Sequence, residues 1–478
     1  MPDRRSAMPP ERRKVRVAVV VVHGMGEQRP RETLDRFTDT ALARDPVAGE
    51  RVYYSRPALL TGSYEARRHL AVRLGTADAP ARVQTEVFEY HWSYLMTGNR
   101  LGDLVPTTLR LLVRRPAAVP AGLQGVWWMA WGVAALAVVL AVVLWATGLV
   151  GALAAVLAVP VVAVVAGAVL RFAAGRVTTS FVDVVRYLDT SPRSYAARRD
   201  IRAGMVDLLR ALHADGGYSR IVVVAHSLGA FIAYDGLTSF WTEVAARTAG
   251  PRQRATPLVG LRSLERAAAR RTAGTASVAE FQRAQFALWQ GLRRQGCPWL
   301  VTDLLTIGTP MAFADLLLTR DRAAFDRLVG RAELPTCPPR SRTATVDGPP
   351  PAGAPRYGWF RDGRQVLDSA APFAATRWTN LWFPVDGLRG DWFGGPLQQL
   401  YGPGVRDVAV TGNLPGRRAW GVAHGRYFDY PEATGPDDVA THVRAVLDLG
   451  PRTHDVLRAL LAVPPTSTDQ PAPLSAAL

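Results

Sequence analysis

The sequence contains very few cysteines and lysines. Its two cysteines, Cys297 and Cys337, cannot build a disulfide framework and do not stand in a zinc-binding pattern. This scarcity favours a reducing compartment. Lys14 is the only lysine, so arginine supplies nearly all the positive charge, and the formal net charge is +17. Because no nucleic-acid-binding motif accompanies this charge, we expect an anionic membrane surface, and not a nucleic acid, as its partner.

The sequence also lacks the glycine patterns of nucleotide-binding proteins. In H-G-M-G-E-Q-R, Arg29 occupies the place of the third glycine of a dinucleotide fingerprint. The chain has no G-x-x-x-x-G-K-[ST] phosphate loop. We therefore expect no nucleotide cofactor.

Charged residues are absent from Pro116 to Leu170. One bilayer crossing takes roughly 20 apolar residues, so this stretch suits two crossings joined near 147–148. Arginines flank it on both sides, and the positive-inside rule then places both ends in the cytoplasm. The stretch predicts a transmembrane helical hairpin at 124–172 and a multi-pass membrane protein whose folded part lies on the cytoplasmic side. A buried hairpin of a soluble domain is the alternative.

Apolar strands alternate with amphipathic helices on both sides of this stretch, which predicts an α/β fold with a mostly parallel sheet. A buried strand that ends in a glycine turn is expected at 15–28, an alternating strand at 83–92 and a strand, turn and helix at 219–237. A further apolar strand with a turn is expected at 304–311, and the last strands at 376–384 and 405–410. The expected parts are a basic arm (1–14), a first part of the core (15–123), the hairpin (124–172), a second part of the core (173–463) with a helical lid-like insertion (241–300), and a disordered tail (464–478).

Ser227 stands where a β-branched strand ends, in the sequence A-H-S-L-G. Ligands of parallel sheets bind at the carboxyl ends of the strands, so this position is suited to chemistry. The small residues Ala225 and Gly229 leave room for a sharp turn that lifts the serine hydroxyl above the sheet edge. The simpler alternative is a serine that merely ends a strand.

The A-H-S-L-G sequence resembles the nucleophile elbow G-x-S-x-G of the α/β-hydrolase family, and in particular of its lipase-like serine hydrolases, with Ala225 replacing the first glycine. H-G-M-G at 23–26 resembles the family's oxyanion loop, and L-T-I-G-T-P-M at 305–311 resembles the strand after the elbow. The resemblance covers most of the chain, apart from the hairpin, the insertion and the tail.

The resemblance implies a fold and a set of roles. The fold would be an α/β-hydrolase fold with the membrane hairpin inserted into it. Ser227 would be the nucleophile and His424, in A-H-G-R-Y-F, its general base. The backbone N–H groups of Met25 and Leu228 would form the oxyanion hole.

Two aspartates compete for the role of the acid that orients this histidine. Asp391 lies in a G-D-x-hydrophobic-G turn similar to that of the family, and it is favoured. Asp386 lies nearer to the end of the strand and remains the alternative. Either aspartate could instead be an ordinary turn carboxylate.

Two more histidines stand next to these groups. His226 precedes the serine but cannot turn back onto its hydroxyl, and His23 precedes the glycines of the oxyanion loop. We interpret both as structural residues, with His23 bracing its loop.

The resemblance implies a serine hydrolase that cleaves carboxylic esters through an acyl-enzyme, a mechanism that requires no metal and no organic cofactor. The uncharged stretch adds a membrane anchor, which makes a lipid ester the first choice of substrate. One alternative is a catalytically inactive membrane scaffold with a hydrolase fold. Another is a tethered esterase or peptidase that acts on soluble substrates. The expected partners are the ester and the lipid bilayer.

Overall fold

A computed structural model provides the fold, and the part of the chain that it describes excludes both termini and several connections. The described residues are 14–25, 29–42, 53–58, 64–76, 79–96, 111–116, 119, 121–146, 179–189, 191–245, 258–340, 356–361, 364–386, 390–412, 423–429, 435–449 and 455–462. The expected basic arm, except Lys14, and the expected tail at 464–478 lie outside these residues.

Ten strands fall within the described residues. They are β1 (Lys14–Val22), β2 (Tyr53–Ala58), β3 (Tyr64–Thr76), β4 (Ala79–Tyr90), β5 (Arg220–His226), β6 (Val301–Ile307), β7 (Gly358–Arg361), β8 (Arg364–Leu367), β9 (Arg377–Trp382) and β10 (Arg406–Ala409). Eight of them form one sheet in the order β10-β9-β6-β5-β1-β4-β3-β2, and β7 pairs with β8 in a separate antiparallel hairpin.

Helices connect and cover these strands. Those described are α1 (Glu32–Ala41), α2 (Ala121–Ala146), α3 (Thr179–Leu188), α4 (Pro192–Ala214), α5 (Gly229–Ala245), α6 (Leu261–Thr272), α7 (Val278–Arg294), α8 (Ala314–Leu317), α9 (Arg322–Gly330), α10 (Gln398–Tyr401), α11 (Val439–Leu447) and α12 (Asp455–Ala462). Short 3-10 turns follow β4 at Ser93–Leu95 and β6 at Pro310–Phe313, and another spans Ala423–Gly425.

The prediction of an α/β fold with a mostly parallel sheet is confirmed. From β10 to β4 the six neighbouring strands run parallel. Every residue of β6 is buried, as are the first six residues of β5, because helices cover parallel sheets on both faces. Their β-branched side chains fit this buried, pleated surface.

The register brings the carboxyl ends of the central strands to one edge of the sheet, here called the catalytic edge because the candidate active site described below lies there. Val22, the last residue of β1, pairs with Tyr90 of β4 and Ala225 of β5. His226, the last residue of β5, pairs with Ile307 of β6. The segments that leave these strands therefore lie side by side.

Two strands that the sequence analysis did not predict, β2 and β3, extend the sheet beyond β4. β3 pairs antiparallel with β4, and β2 pairs antiparallel with β3. β3 has the sequence YEARRHLAVRLGT, whose charged residues hide the alternation by which a strand is recognised.

The helices of the expected insertion at 241–300 pack near the beginning of β9. Gln285 of α7 donates hydrogen bonds to the carbonyls of Phe373 and Thr376, which precede β9, and Gln282 donates to the carbonyl of Trp378. These contacts lie toward the edge of the sheet opposite the catalytic edge. A lid role for the insertion stays a prediction.

The first arm of the expected hairpin is the 26-residue helix α2, and the second arm falls outside the described residues. Several side chains of α2 also lie outside the description. In the part of the chain that the structure describes, no helix is both long and apolar enough to cross a membrane.

Candidate active site

Ser227 occupies a strained turn between β5 and α5. Its φ of 56° lies in the left-handed region, which residues with a side chain rarely adopt. Its N–H donates to the carbonyl of Ile307 at 3.0 Å, and its carbonyl accepts from the N–H of Ala230 at 3.1 Å. These bonds hold the turn, so the strain, about 1–3 kcal/mol for such a residue, is sustained by the surrounding fold.

Close backbone approaches explain the small residues around this serine. A Cβ on Gly229 would lie 2.4 Å from the carbonyl oxygen of Val22 and 2.6 Å from that of His23. A Cβ on Gly24 would lie 2.9 Å from the Cβ of Ser227. Only glycine fits at both places, and the described part of the H-G-M-G segment, residues 23–25, therefore lies directly against the serine.

Nε2 of His424 accepts a hydrogen bond of 2.8 Å from the hydroxyl of Ser227. Its Nδ1 faces Asp391, with distances of 2.9 and 3.0 Å to the two carboxylate oxygens. The imidazole is therefore the tautomer that carries its proton on Nδ1, because Nδ1 donates to a carboxylate and Nε2 accepts from a hydroxyl. Ser227, His424 and Asp391 form one continuous hydrogen-bonded chain.

Asp391 is completely buried, but three groups donate hydrogen bonds to its carboxylate. Tyr427 donates its hydroxyl proton to Oδ2 at 2.8 Å, and the N–H of Phe393 donates to Oδ1 at 2.8 Å. The imidazole supplies the other contacts. Burial by itself raises the pKa of Asp391, but the charge of His424 and these hydrogen bonds outweigh it, so the pKa lies below its ordinary value. The carboxylate is therefore held ionised.

Asp386, the alternative acid, lies elsewhere. Its side chain is exposed, and His424 has its described carboxylate contacts with Asp391. The two aspartates differ because the chain turns back after β9, and the N–H of Asp391 reaches the carbonyl of Phe383 at 3.2 Å. Gly394 lies directly against the Asp391 carboxylate, where a side chain would not fit, since a Cβ on Gly394 would lie 2.7 Å from Oδ2 of Asp391.

Met25 and Leu228 are buried on the two segments that flank Ser227. Leu228 directly precedes α5, so its N–H belongs to the positive end of that helix. Within the described part of the chain, neither the N–H of Met25 nor that of Leu228 has an acceptor. Both donors are thus available to a ligand, as an oxyanion hole requires.

His226 holds the segment that carries His424. Its Nε2 donates to the carbonyl oxygen of His424 at 2.9 Å. Burial, with a smaller contribution from the charge of His424, lowers the pKa of His226 to about 3. It stays neutral at physiological pH, so no second positive charge lies beside His424 when that residue takes a proton.

His23 braces the H-G-M-G segment in a similar way. Its Nδ1 donates to the carbonyl of Gly24 at 2.9 Å, and its Nε2 accepts the N–H of Trp92 at 3.2 Å. The indole N–H of Trp92 donates to the carbonyl of His23 at 3.0 Å. Burial lowers the pKa of His23 to about 3. The ring is therefore neutral and fully bonded, which fits a structural role.

The sequence reasoning missed Tyr427 and the contact of His226 with His424. Tyr427 stands three residues after His424, but nothing in the local pattern says that its hydroxyl reaches Asp391. The backbone N–H of Phe383 donates a hydrogen bond to the hydroxyl oxygen of Tyr427, and the two rings stack with 4.2 Å between their centroids. Among the described residues, no group of three His, Cys, Asp or Glu side chains could hold a metal ion.

Comparisons with family models, with curated proteins and with solved structures find no match for this chain. Any functional assignment must therefore come from the residues and geometry of the chain itself.

Proposed function

We propose that this protein is a serine hydrolase of the α/β-hydrolase type that cleaves carboxylic esters. The observation that carries the proposal is the hydrogen-bonded chain from Ser227 through His424 to Asp391. It starts at a serine in a strained turn at the catalytic edge, where α/β sheets bind their ligands. A serine that merely ended a strand would need neither the strain nor a histidine oriented by a buried carboxylate.

The proposed reaction has two steps. The Ser227 oxygen attacks the ester carbonyl while its proton moves to Nε2 of His424. The tetrahedral intermediate collapses, the bond from carbonyl carbon to the alcohol oxygen breaks, and His424 returns the proton to the departing alcohol. Water then attacks the acyl-serine by the same path and releases the carboxylic acid and Ser227. No oxidant, metal or cofactor takes part in this balance.

The surrounding groups support each charge that develops. Asp391, ionised and buried, stabilises the imidazolium that His424 becomes. The N–H groups of Met25 and Leu228 would bind the oxyanion, and each donor of this kind typically lowers the activation free energy by about 3–4 kcal/mol. Neutral His226 keeps the His424 segment in place without opposing its charge.

We also propose that the uncharged insertion anchors the protein to a membrane. The side chains described on α2 include several exposed apolar ones, among them Trp128 and Val138, which are 59% and 62% exposed. β1 and β4 precede the insertion and β5 follows it in one sheet, so an insertion that enters a membrane must return to the side it left. Arginines at both flanks favour the cytoplasmic side.

Ester turnover by the Ser227→Ala variant tests the hydrolase proposal. Wild-type protein should hydrolyse p-nitrophenyl esters, and the variant should lose about 10⁴-fold or more in kcat while keeping its fold by circular dichroism. The matched control is Ser239→Ala, because Ser239 lies in α5, the helix that follows Ser227, but away from the candidate active site. Wild-type protein without turnover of any ester would favour the scaffold, and equal turnover by Ser227→Ala would reject the nucleophile.

A further inference from the structure

The chain enters and leaves the insertion that contains α2 on the side of the sheet where the catalytic edge lies. The chain enters the insertion after β4, whose last residue, Tyr90, pairs with the last residue of β1. It leaves the insertion before α4, the helix that runs back to the start of β5. The topology alone thus places the apolar helix on the side of the sheet where Ser227 lies.

The beginning of α2 is packed onto the segment that follows β6. Leu123 and Trp127 form a small buried cluster with Phe313 and Leu316. Beside this cluster, Arg114 contacts the Asp315 carboxylate at 3.3 Å. We call this packed part of the molecule the foot of α2.

The segment that follows β6 also contacts Asp391 and Tyr427 in the candidate active site. Gly308 packs so closely that a Cβ there would lie 2.8 Å from Oδ2 of Asp391 and 2.4 Å from the Tyr427 ring. Only four residues separate Gly308, which packs against the buried acid, from Phe313 in the foot of α2. The foot and the catalytic groups therefore share one short, ordered stretch of chain.

Beyond its foot, α2 carries a long exposed apolar face. Exposed apolar side chains described on this face include Trp128, Trp131, Leu136, Val138, Val139 and Val142. At about 1.5 Å per residue they span about 21 Å along the helix, a large part of the roughly 30 Å hydrocarbon core of a bilayer. The tryptophans lie at the end next to the foot, where an interfacial aromatic belt would be.

The charges next to this face fit a lipid surface better than a protein partner. Arg115 is exposed at the foot, directly before the uncharged stretch, and the whole chain has a formal net charge of +17. Anionic headgroups attract basic residues in this position. A face without a single charge or hydrogen-bonding group along 132–143 offers nothing that would specify a protein partner.

We propose that α2 enters the bilayer with its foot at the level of the headgroups, so that the catalytic edge faces the membrane and Ser227 takes its ester from the lipids of that bilayer. The substrate class is then a membrane-resident long-chain ester. This inference rests on the proposed hydrolase function, and its tests are chosen so that the two can fail separately.

The first test measures which edge of the sheet lies near the bilayer. A dye-bearing fluorophosphonate labels Ser227, and in a second sample a maleimide dye labels an Ala214→Cys variant at the opposite edge. The native cysteines are buried. Vesicles of phosphatidylcholine and phosphatidylglycerol carry a headgroup quencher. The dye at Ser227 should be quenched strongly and the dye at position 214 weakly.

The outcomes separate the two proposals. Equal quenching at the two positions, or stronger quenching at 214, overturns the orientation although the hydrolase stands. Protein that stays in solution and forms vesicle-independent dimers overturns the bilayer as the occupant of the α2 face. Failure of the probe to react with Ser227 overturns the hydrolase proposal instead.

The second test measures the source of the substrate. Val139→Arg places a charge in the middle of the exposed apolar face, and Ala273→Arg, on an exposed site of the folded domain, is the matched control. Turnover of a long-chain ester embedded in the vesicles should fall by at least about 10-fold in Val139→Arg alone. Turnover of soluble p-nitrophenyl acetate should be unchanged in both. Undiminished turnover of the embedded ester by Val139→Arg overturns the inference.

Discussion

The two edges of the central sheet each bury a carboxylate, but in opposite surroundings. At the catalytic edge, Asp391 contacts an imidazole, a tyrosine hydroxyl and a backbone N–H. At the other edge, Asp303 lies between two guanidinium groups, with Arg377 at 2.8 Å and Arg220 at 3.5 Å. One carboxylate faces a group whose charge can change, and the other faces charges that do not.

This difference separates the site at which we propose the chemistry takes place from an ion cluster that links elements of the fold. Arg220 is fully buried, and although burial lowers its pKa, Asp303 and Asp448 oppose that effect. Its guanidinium also donates to the carbonyl of Leu447 at 2.7 Å, which ties the strand to the end of α11. The cluster therefore joins Arg220, Arg377 and Asp303 by ion pairs, whereas the imidazole of His424 lies between a carboxylate and a hydroxyl. We therefore expect mutations at the two edges to affect different measurements.

The largest effect is expected for Asp391→Asn. The amide offers the imidazole Nδ1–H the wrong partner and no negative charge, so kcat should fall about 10⁴-fold with little change in fold. Ester turnover measures this loss. Asp386→Asn is the matched control and should retain wild-type kcat, because its side chain is exposed and away from His424. If Asp386→Asn were the damaging change, Asp386 would be the acid.

A large loss of stability is expected for Asp303→Asn. Removing the negative charge leaves two guanidinium groups beside each other, one of them fully buried, and such a loss costs about 3–5 kcal/mol. Urea unfolding measures the free energy, and kcat per folded molecule should be unchanged. The control is Asp326→Asn in the exposed pair with Arg322, which should cost at most about 0.5 kcal/mol. Equal effects of the two changes would contradict a role of Asp303 in the fold.

A smaller effect on catalysis is expected for Tyr427→Phe. The ring still stacks on Phe383, but one donor to Asp391 is lost, so kcat should fall about 10-fold with unchanged KM. The pKa of Asp391 should rise, and the acid limb of the pH–rate profile should move to higher pH. Tyr234→Phe removes a buried tyrosine hydrogen bond elsewhere and should leave kcat and the profile intact. The same profile in Tyr427→Phe as in wild type would show that the hydroxyl does not act on the acid.

The smallest effect concerns pH and the buried neutral histidines. Burial lowers the pKa of His213 and His226 to about 3, below the ordinary value of 6.5. Between these values the unfolded chain binds protons that the folded chain does not, so stability falls as the pH drops from about 6.5 toward 3. Replacing either with glutamine should reduce the slope of unfolding free energy against pH by at most about 1.4 kcal/mol per pH unit. Only His226→Gln should also alter kcat, and an unchanged slope in both variants would contradict their neutrality.

The central strands could be predicted because apolar, β-branched runs between turn signals are typical of strands buried in a parallel sheet. Their order in the sheet was not predicted. The meeting of Ser227 with the H-G-M-G segment follows from the same rule, since ends of parallel strands share an edge. β3 was not predicted because the charged residues in its sequence hide the alternation by which a strand is recognised. The α/β-hydrolase assignment itself remains a proposal.

The contacts that tie the site together span long distances in sequence and could not be read from local patterns. His226 bonds to the carbonyl of His424, which is 198 residues away. The preference for Asp391 over Asp386 came from a turn pattern, but the contact with His424 depends on the path of the loop after β9. A residue whose role depends on where a distant loop lies has no signature in its own neighbourhood.

The most direct test of the account is whether Ser227 is an activated nucleophile. The full-length protein is treated with a fluorophosphonate and the modified peptide is identified by mass spectrometry, with Asp391→Asn and Asp303→Asn treated in parallel. The account predicts a single adduct on Ser227, much slower labelling in Asp391→Asn, and wild-type labelling of folded Asp303→Asn. No adduct, an adduct on another serine, or equal labelling of Asp391→Asn and wild type would contradict it.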